Sequence, residues 1–557
     1  MKRTPILTVA AIAASMFLVS CKNNSTSGLA IPKDAAMVLQ VNTSSLTSKL
    51  SWEEIKATNW FREMAKDAND SLAKKMLENP ENSGIDLKGD LVYFMKKQGK
   101  GGYMVLEGKL KDAAAFEAMV KQIKTGATTQ KDGDLSYIVT DDNNIVSWTS
   151  NQFFAMSDAP FFAMNPYGMD ENSDVKFPTD SLKKFTKDLL ALKSDDALTK
   201  DDRFNDLVKA DGDVHFWINS DQTLSNMGSY LSMLKVGSLL KGNALAYSLN
   251  FENGKIAVKA KSYFGEEMSK LMDKYASRNV DKDLINRIPS QNVVGVMAMN
   301  FDPAIIKEFL VAAGVDGMLN GMLGKQGLSV DDLVNASKGQ FLVSISDVTV
   351  TKKEKVIPAF YEGGEPYTYT TTEPEMNFLF ATSVNNKATF DKILGLAKEE
   401  MGNSMEDTSK LNFKANNEWF AVSNRNSTVD QFMAGGNNKF AFADKISGHP
   451  FGLYIDLQKA MKAGASTMEN AGDSAAFDAS LKMWEDVVAT GGEYKKGVAT
   501  MEFVVNLVDK SKNSLKQINE YGDKIFAAKQ LRRKNNEGFE SADTTAVVPP
   551  VMEVEPK

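Results

Sequence analysis

Residues 31–46 read IPKDAAMVLQVNTSSL, and residues 288–306 read IPSQNVVGVMAMNFDPAII. Each stretch opens with Ile-Pro and continues through an apolar run that is typical of a buried strand. Each run then reaches a polar residue, Asn42 or Asn300, just before a helical pattern. The recurrence predicts that the chain consists of two related halves.

Further blocks recur in the same order along the two halves. AAFE at 114–117 is answered by ATFD at 388–391, and FFAMS at 153–157 is answered by WFAVS at 419–423. In both halves, short strands with hairpin turns alternate with helical patterns. The sequence therefore predicts an α+β fold with two tandem pseudo-repeat lobes, each a mostly antiparallel sheet with packed helices.

Local patterns set the bounds of these lobes. The first lobe is predicted over residues 31–287 and the second over residues 288–530, where a last helical pattern, Asn513–Gln530, closes the fold. Helical periodicity also covers Trp52–Leu77 and Glu266–Arg278. Four strands end on a polar residue that we interpret as a helix cap rather than as a site residue: Asn42, Asn219, Asn300 and Asp456.

The composition excludes several kinds of site. The 557 residues carry a net charge of −7 without a clustered basic face, which argues against nucleic acid as a partner. Cys21 is the only cysteine, so an intramolecular disulfide, a thiolate zinc site and an iron–sulfur cluster are excluded. With only His215 and His449, a histidine-rich metal site cannot form, although an all-oxygen calcium or magnesium site stays open. We predict no cofactor and no metal, and we interpret both histidines as structural.

The amino-terminal residues indicate export. Lys2 and Arg3 precede an apolar run through Val19, which is typical of a secretory signal peptide over residues 1–20. The run is too short to be a good membrane-spanning helix. We therefore expect residues 1–20 to be removed from the mature protein.

The end of the apolar run indicates where the mature protein is held. Leu18-Val19-Ser20-Cys21 resembles the lipobox of bacterial lipoproteins. The resemblance implies a diacylglyceryl group on the Cys21 sulfur, cleavage after Ser20, and acylation of the new amino terminus by a fatty acid such as palmitate. Residues 21–30 would then form a lipidated tether, and Lys22 after the cysteine favours the outer membrane.

The second half carries an insertion that the first half lacks. Residues 347–375 place Glu-Gly-Gly-Glu-Pro between two strand-like arms, which predicts a long hairpin. Tyr361, Tyr367 and Tyr369 lie in it, the latter two on one strand face. Aromatic side chains on a projecting element suit contact with sugar or peptide, so these tyrosines are candidate ligand-binding residues. The alternative is a hairpin that packs against its own domain or the other lobe.

No sequence motif identifies a catalytic residue. Gln326 follows Lys325 where a phosphate loop needs Ser or Thr, and no G-x-S-x-G elbow occurs. A small-residue helix contact or a loop explains the nearby glycines better: Gly314, Gly317, Gly321, Gly324 and Gly327. The last residues, 531–557, lack periodicity and are predicted to form a disordered tail.

The lipobox, the Ile-Pro-Lys-Asp-Ala opening at residues 31–35, the strand–Asn–helix unit and the duplicated halves resemble those of a family of uncharacterised lipoproteins of the Bacteroidota. The resemblance covers nearly all of the mature chain. It implies a domain of unknown function, and it transfers no active site to these residues.

We therefore expect a lipid-anchored cell-envelope protein, an outer-membrane lipoprotein that faces the periplasm or the cell surface. The membrane would hold it through the lipid on Cys21. The sequence favours a non-enzymatic binding or scaffold protein whose partner is an envelope protein or glycan. One alternative is a hydrolase that processes envelope glycan or peptide with carboxylates in a cleft between the lobes. Another is a passive domain pair that helps an outer-membrane protein to assemble.

Overall fold

The computed structural model is α+β, with one large antiparallel sheet and helices packed on it. It describes residues 29–67, 80–99, 101–123, 126–141, 144–159, 177–224, 235–275, 277–357, 366–404, 411–465 and 471–540. The strands are β1 (Ala35–Val41), β2 (Leu91–Gln98), β3 (Gly101–Lys109), β4 (Gln130–Asp132), β5 (Leu135–Asp141), β6 (Asn144–Trp148), β7 (Gln152–Asp158), β8 (Val214–Asn219), β9 (Ala244–Glu252), β10 (Lys255–Tyr263), β11 (Val293–Asn300), β12 (Ser337–Ile357), β13 (Tyr367–Val384), β14 (Asn412–Ala415), β15 (Trp419–Ser423), β16 (Phe451–Asp456), β17 (Trp484–Lys495) and β18 (Val498–Leu507).

The helices surround this sheet. They are α1 (Thr43–Lys49), α2 (Trp52–Lys56), α3 (Asn59–Asp67), α4 (Ala113–Ile123), α5 (Thr179–Leu190), α6 (Asp202–Lys209), α7 (Ser220–Leu224), α8 (Val236–Leu240), α9 (Glu266–Met272), α10 (Lys282–Asn286), α11 (Ala304–Ala313), α12 (Asp316–Gly324), α13 (Val330–Ala336), α14 (Lys387–Ser404), α15 (Asn426–Met433), α16 (Ala443–Ile446), α17 (Leu457–Ala463), α18 (Ala471–Met483) and α19 (Ser514–Glu540). The predicted α+β class and the antiparallel sheet are confirmed.

The strand order shows how the two halves of the chain meet. Across the sheet the strands follow the order β4–β5–β6–β7–β3–β2–β1–β8–β9–β10–β18–β17–β16–β11–β12–β13–β15–β14. β10 pairs with β18 from Lys255–Asn506 to Tyr263–Val498, so one sheet continues from the first half into the second. The division into two separate lobes at residue 288 therefore stays a prediction.

The core of the first half lies between the sheet and the helices α5 and α6. Val38, Phe94 and Trp217, from β1, β2 and β8, are at most 1% exposed and belong to one apolar cluster. Leu182 and Phe204 join this cluster from the helices. The Phe204 ring meets the Trp217 ring edge-on, with 5.8 Å between the ring centroids. These contacts fix the face of the sheet on which the two helices lie.

The second half has a core of its own. Val296 of β11 and Leu342 of β12 are buried in a cluster with Phe432 of α15 and Phe442 at the start of α16. The Phe442 ring stacks on Tyr454 of β16, with 4.4 Å between the centroids. Each half therefore buries separate apolar side chains, although the sheet beneath them is shared.

Three of the four predicted capping residues cap a helix. Asn42 and Asp456 each accept a hydrogen bond, at 2.9 Å, from the backbone N–H three residues later. Asn219 accepts one at 3.1 Å from the N–H two residues later. Such bonds satisfy N–H groups that have no partner within the helix. The polar ends of these strands are thus accounted for by local structure.

Asn300 differs from the other three residues. Its side-chain amide donates to the carbonyl of Asn279 at 2.7 Å. The N-cap position of α11 is Pro303, which has no side-chain bond to the helix, and Asp302 before it accepts from the backbone N–H of Ala304 at 3.0 Å. The sequence prediction of a cap at Asn300 is therefore wrong, because the helix begins only at Ala304.

The helical pattern predicted over Trp52–Leu77 is divided between α2 and α3. The backbone N–H groups of Asn59 and Trp60 donate to Asp523 of α19, at 2.5 and 3.1 Å. The group that caps α3 thus lies 464 positions away along the chain, where no local pattern reveals it. Residues 68–79, which the predicted helix includes, lie outside the described residues.

The carboxyl-terminal helix is longer than the sequence predicts. We place the start of a disordered tail at residue 531, but α19 continues to Glu540. Arg532 forms an ion pair with Asp473 of α18, which ties the extra turns to a neighbouring helix. The remaining tail residues, 541–557, lie outside the described part of the chain. Within that part, no helix is both long and apolar enough to span a membrane.

Candidate functional site

The long hairpin of the second half leaves the main sheet at a distorted turn of β12. Pairing with β13 shifts register between Ser346 and Thr349. Asp347, between them, has a φ of 53°, in the left-handed region that Asp tolerates better than most residues. Its carboxylate accepts from the Ser290 hydroxyl at 2.8 Å, which holds this conformation. Such an irregularity bends a strand, so it can redirect the arms beyond it.

Beyond this point the two arms pair only with each other among the described residues. β12 and β13 pair from Thr349–Glu375 to Ile357–Tyr367. The pairing of β12 with β11 ends at Ser346, and that of β13 with β15 begins at Leu379. Each arm therefore has an outer edge whose backbone groups meet no third strand in this part of the structure. Such an edge can accept an additional strand from a partner.

The arms are held together by side-chain charges on one face. Lys353 lies 3.1 Å from both Glu373 and Glu375, and Lys355 lies 2.7 Å from Glu373. These hydrogen-bonded ion pairs lower the pKa of Glu373 and raise those of both lysines. Because the pairs are exposed, water screens them and each adds little to the stability of the fold. They align the two arms more than they stabilise the fold.

The structure describes one of the four predicted site residues with its side chain. Tyr369 is 38% exposed and pairs with Lys355 across the hairpin. Tyr367 is the strand position paired with Ile357, but its side chain lies outside the described residues. Tyr361 and the predicted lipidation residue Cys21 lie wholly outside them. The structure thus leaves the predicted ligand-binding role of the tyrosines untested.

The exposed residues near Tyr369 are partly apolar. Val356 and Ile357, on the opposite arm, are 59% and 38% exposed. A hairpin with an exposed aromatic ring on one arm, exposed aliphatic side chains on the other and an outer backbone edge on each suits an extended peptide, because β-addition uses both the backbone and alternate side chains. This is the contact that the geometry of the hairpin can make.

A buried carboxylate holds the start of the folded chain. Glu107 of β3 has no exposed surface, and its Oε2 accepts from the Ala30 backbone N–H and from Gln152 Nε2, each at 3.1 Å. Burial raises the pKa of Glu107 to about 8, so it is largely protonated at neutral pH. The acid is a latch on the first residues of the fold. The sequence gives an indication of this acid, because Glu107 follows Tyr103 and Val105 at every second position of the strand. The three side chains therefore share the inward face of β3.

A second buried carboxylate joins three elements. Asp213, with its side chain wholly buried, accepts from Lys49 Nζ at 2.6 and 2.7 Å. It also accepts from the Ser45 hydroxyl and the Phe251 backbone N–H, both at 2.6 Å. All its strong acceptor sites point into the protein, so it ties α1 to β9. Nothing in this arrangement leaves the carboxylate available for a substrate.

The two histidines lie far apart in the sequence, one within β8 and one just before β16. His215 is buried in β8, and burial lowers its pKa, so the ring is neutral at neutral pH. Its ring packs against Gly212, where an added Cβ would lie 2.3 Å from Nε2. His449 Nδ1 instead contacts Glu493 of β17, where both side chains are partly exposed. Among the described residues, no group of His, Cys, Asp and Glu could hold a metal ion.

The glycine-rich stretch is helical rather than a phosphate loop. Gly314 ends α11 with a φ of 74°, the left-handed conformation that helix ends require. Gly317, Gly321 and Gly324 lie on α12, and a Cβ added at any of them would meet no heavy atom within 4 Å. The sequence expectation of a small-residue helix contact is therefore wrong for these three glycines, which face open space.

Comparison with known families identifies the family of this chain. Residues 29–312, just over half of the protein, match a domain of unknown function, DUF4836. The chain belongs to the DUF4836 family. The DUF4836 match begins at the first described residue and ends within α11, so it includes both Ile-Pro stretches and the Glu107 and Asp213 contacts. The family name assigns no activity to these residues.

Two solved structures show a distant likeness to this DUF4836 protein. Crystal forms I and IV of TP0453 match 44% of this chain, and 81% and 84% of their own chains. Sequence identities are 11% and 10%, with TM-scores of 0.25 and 0.23. Likeness at this level carries no argument about function. No curated protein matches the chain.

Proposed function

We propose that this DUF4836 protein is an outer-membrane lipoprotein of the Bacteroidota type, acylated at Cys21, that acts as a binding or scaffold protein of the cell envelope. The observation that carries the proposal is the lipobox-like Leu18-Val19-Ser20-Cys21, which contains the only cysteine. The start of the fold supports it. Leu29 and Ile31 are already buried, so the segment between Cys21 and the core has the length of a tether.

The long hairpin is the element that we assign to partner contact. Its arms from Thr349 and Glu375 outward pair with each other, and most of their described side chains are exposed. Tyr369 gives the β13 arm an aromatic side chain, and Val356 and Ile357 give the β12 arm apolar ones. The partner that fits is an extended segment of an envelope protein, which would add as a strand to the hairpin edge. Tyr361 and Tyr367 stay candidate contact residues on the sequence alone.

No specific observation favours the hydrolase alternative. Its carboxylates would need a cleft between the halves, but β10 and β18 pair along their whole length at that place. The buried acids Glu107 and Asp213 are bonded to protein groups instead. A binding role therefore has more support than catalysis.

Lipidation is tested by metabolic labelling with an alkyne analogue of palmitate. Cys21→Ala is expected to remove the label, because thioether lipidation requires the sulfur. Ser25→Ala, in the same tether, is the matched control and should stay labelled. A labelled Cys21→Ala variant, or an unlabelled wild-type protein, would contradict the proposal.

Partner contact is tested by placing a photo-crosslinking amino acid at Tyr369 in living cells. We expect a discrete crosslinked product, which disappears in the variant Val356→Ser/Ile357→Ser, because that variant removes the exposed apolar side chains of the opposite arm and keeps the crosslinking position. The same amino acid at Leu190, an exposed residue of α5, is the control for random collision. Equal crosslinking at both positions would show that the hairpin is not the binding element.

A further inference from the structure

The helices α11 and α12 present large apolar side chains to the outside. Only Ala313 of α11 is buried, and no residue of α12 is. We define the α11–α12 apolar face by its exposed members, Ile306 (44%), Phe309 (40%), Met318 (62%) and Met322 (62%). Apolar patches larger than roughly 300–600 Å² are unusual on a monomer and mark a binding surface. A helix that is apolar on nearly all sides normally lies in a protein core or in lipid.

The apolar face carries little charge. Between them, α11 and α12 contain three charged residues: Lys307, Glu308 and Asp316. Lys307 pairs with Asp331 at 2.6 Å, and Glu308 pairs with Lys274 at 2.7 Å. Two of the three charges are therefore balanced by neighbouring elements. The face can bury its side chains without removing an unpaired charge from water, except near Asp316.

The helices that follow β1 have a cover that α11 and α12 lack. After β1, the side chains of Trp52, Ile55 and Phe61 are at most 6% exposed, and the 27-residue α19, which follows β18, packs over α3. After β11, the corresponding cover is α9, which follows β10 and reaches α11 through the Lys274–Glu308 pair. α9 has only seven residues. The shorter cover leaves the α11–α12 apolar face open.

The first strand, β1, begins on the side of the sheet on which the α11–α12 apolar face lies. Thr223 of α7 donates to the carbonyl of Ala36, at the start of β1, at 3.3 Å, and α8 packs against both α7 and α11. The helix that follows β11 therefore lies on the side of the sheet where β1 begins. The Lys235 backbone N–H, in the connection between β8 and β9, donates to the Ala313 carbonyl at 3.0 Å. The end of α11 thus lies close to the first half.

The lipidated tether limits the distance between this side of the sheet and a membrane. Residues 22–28 separate Cys21 from Leu29, the first described residue. An extended chain spans at most about 3.5 Å per residue, so a lipid on Cys21 keeps Leu29, near the start of β1, within about 30 Å of the bilayer. The acyl region of that bilayer is therefore an apolar phase within reach of the α11–α12 apolar face.

We propose that the α11–α12 apolar face docks into the interfacial region of a phospholipid bilayer, with Met318 and Met322 entering the acyl layer. The protein then lies with the side of the sheet where β1 begins against the membrane. The orientation rests on the proposed lipidation of Cys21, whereas the affinity of the face for lipid does not. Because the chain is acidic overall, anionic lipid should not attract it. We expect the apolar side chains to supply the binding, so that no anionic lipid is needed.

The test is flotation of the unacylated chain from Lys22 onward with phosphatidylcholine vesicles, with and without phosphatidylglycerol. We expect similar binding to both vesicle types and at least a tenfold loss of binding for the double variant Met318→Ser/Met322→Ser. Both side chains are mostly exposed, so the unfolding midpoint should not change. Met501→Ser/Phe503→Ser, which alters exposed apolar residues of β18, is the matched control and should bind like wild type. Trp at Met322 should show a blue-shifted emission with vesicles.

Other occupants of the face give different results, and each would overturn the proposal. A second copy would make wild type a dimer that does not float and that the double variant converts to a monomer. Cover by residues 541–557 would let the protein float only after their removal. A monomer that never floats would show that lipid does not bind. Failure of lipidation is separate, since it appears as loss of the palmitate label while flotation of the unacylated chain persists.

Discussion

Single buried carboxylates hold distant parts of this protein together, and Asp213 is the clearest case. Asp213→Ala would remove a wholly buried carboxylate and leave Lys49 and the Phe251 N–H, both partly buried, without their acceptor. Breaking a buried ion pair costs about 3–5 kcal/mol, and because Lys49 keeps contact with water we expect a loss at the lower end of this range in the free energy of unfolding, measured with urea. Asp196→Ala breaks the exposed pair with Lys33 and should cost less than about 1 kcal/mol. Equal losses for the two variants would refute the role of burial.

Glu107 makes stability depend on pH. Its folded-state pKa of about 8 exceeds the ordinary value of 4.5, so the folded state binds the proton more tightly than the unfolded state. The contribution to stability is complete below about pH 4.5 and is lost as pH rises through 8. Glu107→Gln imitates the protonated acid and should lack this loss, with an advantage of a few kcal/mol above pH 8.

Urea unfolding of wild type and Glu107→Gln at pH 5, 7 and 9 measures this effect. The two proteins should be closest at the lowest pH and differ increasingly as pH rises. Glu53→Gln, at an exposed position of α2, is the control and should follow wild type. Parallel profiles for wild type and Glu107→Gln would show that the Glu107 proton does not contribute.

At the scale of elements, α19 acts as a clasp on the first half. Asp523 accepts from the backbone of Asn59 and Trp60, and Asn519 accepts from Trp60 Nε1 at 3.2 Å. Asp523→Ala should cost about 1–2 kcal/mol, as the loss of a helix cap does, and should speed amide exchange in α3. Glu520→Ala, on the same helix but in an exposed pair with Lys512, should leave exchange unchanged. Unchanged exchange in both variants would show that α3 does not depend on this cap.

At the scale of the whole molecule, the shared sheet makes each half depend on the other. Residues 29–287 alone would expose the edge of β10 and the surface of α3 that α19 covers. An exposed edge of this length promotes association. We therefore expect each half expressed separately to aggregate, and the two halves expressed together to form a soluble complex. A monomeric first half with the wild-type melting temperature would instead support the two independent lobes that the repeats predict.

The sequence alone predicts most local elements because their determinants are close together in the chain. The strand at Ala35–Val41 follows from the apolar run after Ile31-Pro32. Three capping residues follow from side chains a few positions from the groups they satisfy. The single cysteine and its flanking residues likewise define the predicted lipidation site before any fold is known.

Only the tertiary structure decides the features that depend on residues distant in sequence. The division between α2 and α3, the different role of Asn300 and the latch at Glu107 each involve a partner from another element. The exposure of Met318 and Met322 is of the same kind, because a local apolar pattern does not say whether another element covers it. The sequence thus determined which residues form strands and helices, since those preferences act over a few residues. The fold decided which faces are buried, since burial depends on the contacts between elements.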